Sequence, residues 1–198
     1  MQDATAILDF WFGGDEVSAA EHERLALRWF RRDDAFDAEI RERFGGQVDA
    51  ALAGELDAWT TRPASWLALL LLLDQFPRNL HRNSAAAFAG DRKAQRFALG
   101  GIARGDDRVL APRYRAFAYL PLEHAEDIAL QQRCIALFEA LAADPQAQPA
   151  AAYLSYLDYA RRHCDVIRRY GRFPHRNRVL GRTTTPEEQA YLDAGGGF

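Results

Sequence analysis

The most constraining feature of the sequence is an uninterrupted apolar run, WLALLLLL, at residues 66–73, which leads directly into Asp74. A helix with this sequence has no polar face, so it must be buried on all sides, with the rest of the chain packed around it. Pro63 lies where the first turn of this helix would form, a position that proline tolerates, and Pro77 breaks the pattern. The run therefore predicts a central helix.

The same helix carries Asp74 into or near the core at its C-terminal end. The helix dipole is negative there, so the position is unfavourable for an anion, and a buried carboxylate needs a cationic or hydrogen-bonding partner. The sequence thus predicts a polar site at the end of the central helix. A structural ion pair with an arginine is the more common role of such a carboxylate, and a functional role is the alternative.

Length and composition predict one domain over residues 1–198, because 198 residues with 48% apolar content supply ample material for a core. A net charge of −3 gives no general reason to expect nucleic acid or an anionic membrane as a partner. The apolar run is far shorter than the ~20 residues that span a bilayer, and the first residues lack the basic and apolar regions of a signal peptide. We therefore predict a cytoplasmic protein. Cys134 and Cys164 lie far apart outside any CxxC pair, which predicts two buried thiols.

Helical patterns dominate the chain, and alternating strand patterns are absent. In the first half, capping and apolar spacing predict helices over 4–12, from the Ser18 capping box to about Arg32, from Asp33 or Asp34 to Gly45, over 47–59, and from Pro63 through the central run.

In the second half, the predicted helices start at Ser84, at Asp91, at Pro112, at Pro121 (running to about Ala143), at residue 151 and at Thr185. The sequence thus predicts an all-α antiparallel array of nine or ten helices. No repeat has a fixed period, so the sequence alone does not support a consensus solenoid.

Three segments carry more polar chemistry than their apolar surroundings require: residues 74–79, 119–127 and 170–177. In the second segment, helical spacing places His124, Asp127 and Gln131 on one face. His163 lies on an apolar stripe of a later helix, where a hydrogen-bonded core histidine is more common than a ligand.

Positive charge is concentrated near the third segment. Residues 161–182 contain eight arginines and a single acidic residue, Asp165. We expect these arginines to pair with carboxylates of the other two segments, namely Asp74, Glu123, Glu126 and Asp127.

The motifs of several enzyme classes are missing. GxSxG, GxGxxG and GxxxxGK[ST] do not occur, which argues against serine hydrolases, dinucleotide-binding enzymes and P-loop proteins. HExxH and the ExxH pairs of di-iron bundles are also absent, so we predict neither a metal nor another cofactor.

Five segments, ILDFWFG, LLLDQFPRNLHR, AFAGD, YLPLEHAED and YGRFPHRNRVLGR, resemble the bacterial family called domain of unknown function 924. The resemblance extends from Ile7 to about Leu192 and implies an all-helical, tetratricopeptide-like right-handed superhelix without the consensus repeat. It implies no activity. The residues that match the motifs of the family are Asp74, Gln75, Arg78, Asn79, Glu123, His124, Glu126, Asp127, Arg172, His175, Arg176 and Asn177.

These residues predict a polar pocket that binds a small, at least partly anionic molecule, because arginines can hold a carboxylate or phosphate through two hydrogen bonds. The residues expected to bind the ligand are Arg78, Asn79, His163, Arg172, Arg176 and Asn177. If the protein is an enzyme, we expect acid–base chemistry. The expected catalytic residues are His124 or His175 as acid or base, and Asp74, Glu123 or Asp127 as the orienting carboxylate.

Two alternatives remain from the sequence. A tetratricopeptide-like fold often serves as a scaffold that holds a peptide or protein partner in its concave groove. The motif residues can also act only as a structural network that joins helices. The oligomeric state does not follow from the sequence.

Overall fold

The computed structural model describes residues 2–14 and 18–198, and every regular element in these residues is helical. The α-helices are α1 (Gln2–Phe12), α2 (Ala19–Phe30), α3 (Asp34–Ala53), α4 (Pro63–Leu70), α5 (Phe76–Leu80), α6 (Asp91–Arg104), α7 (Pro112–Glu123), α8 (Ile128–Ala142), α9 (Ala150–Tyr170) and α10 (Pro186–Asp193). The short elements are 3-10 turns at Asp57–Thr61, Ala85–Phe88, Asp106–Val109 and Pro174–Arg176, and a π-helical turn at Leu71–Gln75. The all-α prediction is confirmed, and the right-handed superhelix stays a prediction.

The apolar run forms the centre of the molecule, as predicted. Residues 66–73 are almost fully buried, with at most 1% of any side chain exposed. Helix α1 packs on α4 from one side, α6 and α7 pack on it from others, and α3 covers α5. Aromatic rings from distant segments close this core, as shown by Trp11, which contacts the rings of Trp29, Phe76 and Phe117.

The central helix does not stop at Pro77, because a π-helical turn precedes it. The backbone N–H of Phe76 donates to the Leu71 carbonyl five residues earlier, which shifts the hydrogen-bond ladder by one residue. Pro77 then falls in the first turn of α5, where a backbone N–H has no intrahelical partner to lose. The helical path therefore continues from α4 through the π turn to Leu80.

The predicted helix end at Gly45 and Gly46 is wrong. Helix α3 passes through both glycines and ends at Gly54, whose φ of 95° is the left-handed conformation typical of a C-cap. The glycines at 45 and 46 keep helical dihedrals because a glycine lowers helix stability only modestly and does not by itself end a helix.

The predicted continuous helix from Pro121 to about Ala143 is also wrong. Helix α7 includes Pro121 and ends at Glu123, with His124 as its C-cap. Asp127 starts α8 by accepting hydrogen bonds from the backbone N–H groups of Ala129 and Leu130. The Asp127 side chain thus caps a new helix, and the expected face of His124, Asp127 and Gln131 does not form.

The predicted caps of α2, α3 and α10 are present at Ser18, Asp33 and Thr185. Cys134 and Cys164 are free and buried, as predicted. Within the part of the chain that the structure describes, no helix combines the length and the apolar character needed to cross a membrane.

Two helical glycines give a test of the packing around the central helix. A Cβ at Gly101 in α6 would lie 2.2 Å from the buried Trp66 ring, so we expect Gly101→Ala to destabilise the fold by about 1–3 kcal/mol through overpacking. Nothing lies within 4 Å of a Cβ at Gly46 in α3. Gly46→Ala should therefore stabilise by about 0.5–1 kcal/mol. Urea denaturation of both variants measures the difference, and equal stabilities would contradict this packing.

Candidate functional site

A large cleft lies beside the C-terminal end of the central helix. Its volume is about 1630 Å³, and its walls come from α2, α5, α7, α9, the Pro174–Arg176 turn and residues 197–198. The lining positions run from 112 to 124 on α7 and from 152 to 163 on α9. At ~1.5 Å of rise per residue, the cleft follows these two helices for roughly 17 Å.

Asp74 lies in the π turn at the inner end of this cleft, with 1% of its surface exposed. Its carboxylate contacts His124 Nδ1 at 2.8 and 3.0 Å, accepts a hydrogen bond from Gln75, and lies 3.3 Å from Arg78 Nη1. Burial alone would raise the pKa of Asp74, but Arg78 and His124 hold it well below its ordinary value. The predicted buried carboxylate therefore stays ionised.

His124 is oriented by this carboxylate. An ionised carboxylate only accepts hydrogen bonds, so Nδ1 of His124 carries the proton and Nε2 keeps a lone pair. Burial, with Arg78 nearby, lowers the pKa of His124 despite the neighbouring Asp74. The side chain remains 15% exposed at the cleft surface. The pair therefore has the hydrogen-bond arrangement of a carboxylate that orients a histidine base.

Asp91 joins two arginines of the cleft, and sequence analysis missed this role. Arg78 binds both of its carboxylate oxygens, at 2.9 and 3.1 Å, and Arg176 Nη1 donates to the same carboxylate at 3.2 Å. Helix α6 approaches the central helix closely at Gly90, where a Cβ would lie 2.1 Å from the Leu73 carbonyl oxygen. This approach places the next residue, Asp91, beside Arg78. The sequence signal was the Gly90–Asp91 pair, which we interpreted as a helix start and as part of the AFAGD segment, without a role in the cleft.

Arg176 is the most buried arginine of the site, with 6% of its surface exposed. Its guanidinium carbon lies 4.5 Å from the ring centres of both Phe88 and Phe173. Burial lowers the pKa of Arg176 to about 10, so it remains a cation at neutral pH. The aromatic rings thus enclose a charged group that Asp91 pairs through a salt bridge.

Glu123, His163 and His175 complete the inner end of the cleft. Burial and the nearby Asp74 raise the pKa of Glu123 to about 8, so this carboxyl group is mostly protonated at neutral pH. His163 Nδ1 donates to the Tyr159 carbonyl at 2.9 Å and lies 3.4 Å from Glu123 Oε1. Burial lowers the pKa of His163 to about 3, and burial with the charge of Arg176 lowers that of His175 to about 4.

Three buried polar atoms at the inner end of the cleft have no hydrogen-bond partner among the residues that the structure describes. They are Glu123 Oε2, His175 Nδ1 and Arg176 Nε. Buried polar groups are nearly always hydrogen-bonded, and all three residues line the same cleft. The inner end of the cleft is therefore incomplete in hydrogen bonding and suits a polar ligand.

The third polar segment divides between two tasks. His175 and Arg176 line the cleft, whereas Arg172 and Asn177 both donate to Glu188 and hold α10. Asn79 lines the cleft and donates to Asp37, which also binds Arg82. Asp127 is exposed at the start of α8 and does not line the cleft.

The predicted pairing between segments is partly confirmed. Arg182 binds Glu126, as expected. The pairing expected for the other carboxylates is wrong, because Arg176 binds Asp91 and the arginine beside Asp74 is Arg78 of the same helix. Over the described ranges, no group of three or more His, Cys, Asp or Glu side chains is arranged to hold a metal ion.

Comparisons with known proteins agree with the resemblance seen in the sequence. Residues 7–196 match the profile of a family described as bacterial protein of unknown function, DUF924. The chain is also similar to a solved protein of unknown function from Agrobacterium tumefaciens. That structure is 43% identical in sequence and has a TM-score of 0.82, with 97% of each chain covered. No curated protein matches the chain.

The raised pKa of Glu123 predicts a loss of stability toward alkaline pH. Between its ordinary value of 4.5 and about 8, the folded protein holds a proton that the unfolded chain releases, so the free energy of unfolding falls as the pH rises. Glu123→Gln should remove this slope, which is on the order of 1 kcal/mol per pH unit. Urea denaturation from pH 5 to 9 measures it.

His175→Gln is the matched control, because the expected pH effect has the opposite sign. Between 6.5 and about 4, the unfolded chain holds a proton that the folded protein lacks, so stability falls as the pH decreases. His175→Gln should reduce this acid-side loss and leave the alkaline slope unchanged. An alkaline slope of the same size in Glu123→Gln and in the wild type would contradict the raised pKa of Glu123.

Proposed function

Since the chain belongs to the DUF924 family of bacterial proteins of unknown function, we propose a function from the cleft itself: it binds a small molecule with an anionic group. The cytoplasmic location predicted from the sequence is part of this proposal. The ligand would place its anionic group at the inner end, next to Arg78 and Arg176.

The distribution of charge in the cleft carries this proposal. Among the described residues that line the cleft, six are arginines, whereas Glu123 is the one acidic side chain and its raised pKa keeps it mostly neutral. Asp74, Asp91 and Asp37, which pair with cleft arginines, are not part of the lining. The cleft thus presents cations on its surface with the anions behind them, an arrangement that attracts an anion.

The geometry of Arg176 supports the same ligand. A guanidinium recognises carboxylate or phosphate through paired, charge-assisted hydrogen bonds, and Nε of Arg176 has no hydrogen-bond partner within the described part of the chain. Because burial weakens the hydration of this cation, an anion in contact with it would be bound more strongly than at a solvated arginine. A peptide scaffold is the alternative, but it gives no reason for buried, unpaired polar atoms at the inner end.

Acid–base chemistry on the bound ligand is a second candidate function, which the Asp74–His124 pair favours. Neutral His124 has a basic Nε2, and Glu123 holds a proton at neutral pH. A base and an acid in one cleft, beside two arginines, can move a proton from one atom of a ligand to another while the arginines stabilise negative charge.

Titration calorimetry with inorganic phosphate and with citrate tests anion binding. We expect the wild-type protein to bind at least one of them, and Arg176→Gln to weaken this binding about 10- to 100-fold, the loss of a charged hydrogen bond. Arg169→Gln is the matched control, because Arg169 forms an exposed pair with Glu187 outside the cleft. Circular dichroism verifies that both variants are folded. Equal affinities of the two variants, or no binding to the wild type, would overturn the proposal.

The protonation of His124 tests the acid–base candidate without a known substrate. Nitrogen-15 NMR at pH 7 should show His124 as a neutral imidazole with the proton on Nδ1, because the ionised Asp74 accepts from that nitrogen. In Asp74→Asn, the fraction with the proton on Nδ1 should decrease. A protonated imidazolium, or a proton on Nε2 in the wild type, would exclude His124 as the base.

A further inference from the structure

One aromatic ring lies at the inner end of the cleft without being part of the core. The Phe198 ring stacks on His163, with ring centres 3.5 Å apart and planes 15° from parallel. Phe173 and His175 present their rings to it nearly edge-on, each at 6.2 Å. Three rings therefore define a place for one planar group in the cleft, although 47% of Phe198 is exposed.

Phe198 is joined to α10 by a glycine segment. It follows three consecutive glycines, of which Gly195 and Gly197 have positive φ values of 82° and 133°. The Gly197 N–H donates to the Tyr191 hydroxyl at 3.1 Å. The N–H groups of Gly195 and Gly196 donate to carbonyls of α10. Because glycine has wide conformational freedom, rotation at Gly197 can move the ring out of the cleft without disturbing α10.

The place of the Phe198 ring adjoins the anion site. The ring of Phe173 contacts both, with Phe198 on one side and the Arg176 guanidinium 4.5 Å from its centre. His175, next to Arg176 in the chain, also contacts both Phe173 and Phe198. A ligand that fills both places therefore has its anionic group within a few bonds of its ring.

The walls of the cleft provide further aromatic surface. Phe30 and Tyr159 are about half exposed and line it together with Tyr153 and Tyr156. Large aromatic side chains exposed at the mouth of a pocket are typical of ligand binding through ring contacts.

We propose that the ligand is an anion that carries an aromatic ring, an aryl phosphate or aryl carboxylate, and that its ring replaces Phe198 on His163. This inference rests on the proposed anion binding and adds the chemical class of the ligand. The Phe198 ring then competes with the ring of the ligand for the same place on His163.

Calorimetry of the full chain with phenyl phosphate and inorganic phosphate tests this proposal. The wild-type protein should bind phenyl phosphate more tightly than inorganic phosphate. Phe198→Ala should bind phenyl phosphate about three- to tenfold more tightly than the wild type, the factor of one aromatic contact. Its affinity for inorganic phosphate should not change. Leu154→Ala, which removes an exposed apolar side chain of α9 outside the cleft, should leave both affinities unchanged.

The outcomes separate this inference from the proposed function. If Phe198→Ala binds phenyl phosphate no more tightly than the wild type, or gains equally for both phosphates, the ring inference is wrong. Anion binding itself still stands in that case, provided that Arg176→Gln weakens both phosphates. If neither of these phosphates nor citrate binds in a manner that depends on Arg176, both proposals fail.

Discussion

The structure depends on one buried carboxylate at the end of its apolar run. Asp74 lies where eight apolar residues stop, in the π-helical turn between α4 and α5. Desolvation of this carboxylate is offset by Arg78 on the same helix and by His124 from α7. Because a buried charge without a partner costs several kcal/mol, the α7–α8 break must hold His124 within reach of the central helix. One unfavourable charge thus connects the core to the cleft.

From Asp74 the ionic contacts continue across the inner end of the cleft. Arg78 contacts Asp74 and Asp91, and Asp91 contacts Arg176, which places cations and carboxylates in alternation. The arginines lie on the cleft surface and the aspartates lie behind them, so the positive charges face the cleft. Structural ion pairing and ligand recognition are therefore not exclusive here, because the pairs that join the helices also orient the arginines toward the cleft.

The last third of the chain shows how neighbouring residues can serve different parts of the structure. The turn after α9 directs Arg176 into the cleft, while Arg172 and Asn177 bind Glu188 at the first turn of α10. Glu188 also closes the capping box with Thr185. This anchoring sets the position of α10, and α10 in turn brings Gly197 and Phe198 to the cleft. Residues of one polar segment thus have two roles: Arg172 and Asn177 stabilise the fold, and Arg176 forms part of the cleft.

The sequence by itself determined the helices, most of their caps, the burial of residues 66–73 and the three polar segments. These features depend on neighbours within about four positions, where helix hydrogen bonds and caps act. It did not determine the helix through Gly45 and Gly46, because glycine lowers helix stability only modestly and packing decides. The break after His124 was missed although Asp127, which caps α8, is a local signal. Only the tertiary structure decided that Asp91 joins Arg78 to Arg176, because Asp91 and Arg176 lie 85 positions apart in the sequence. It also decided that Arg172 faces α10. Such pairs depend on how helices approach one another, and a single sequence does not contain that geometry.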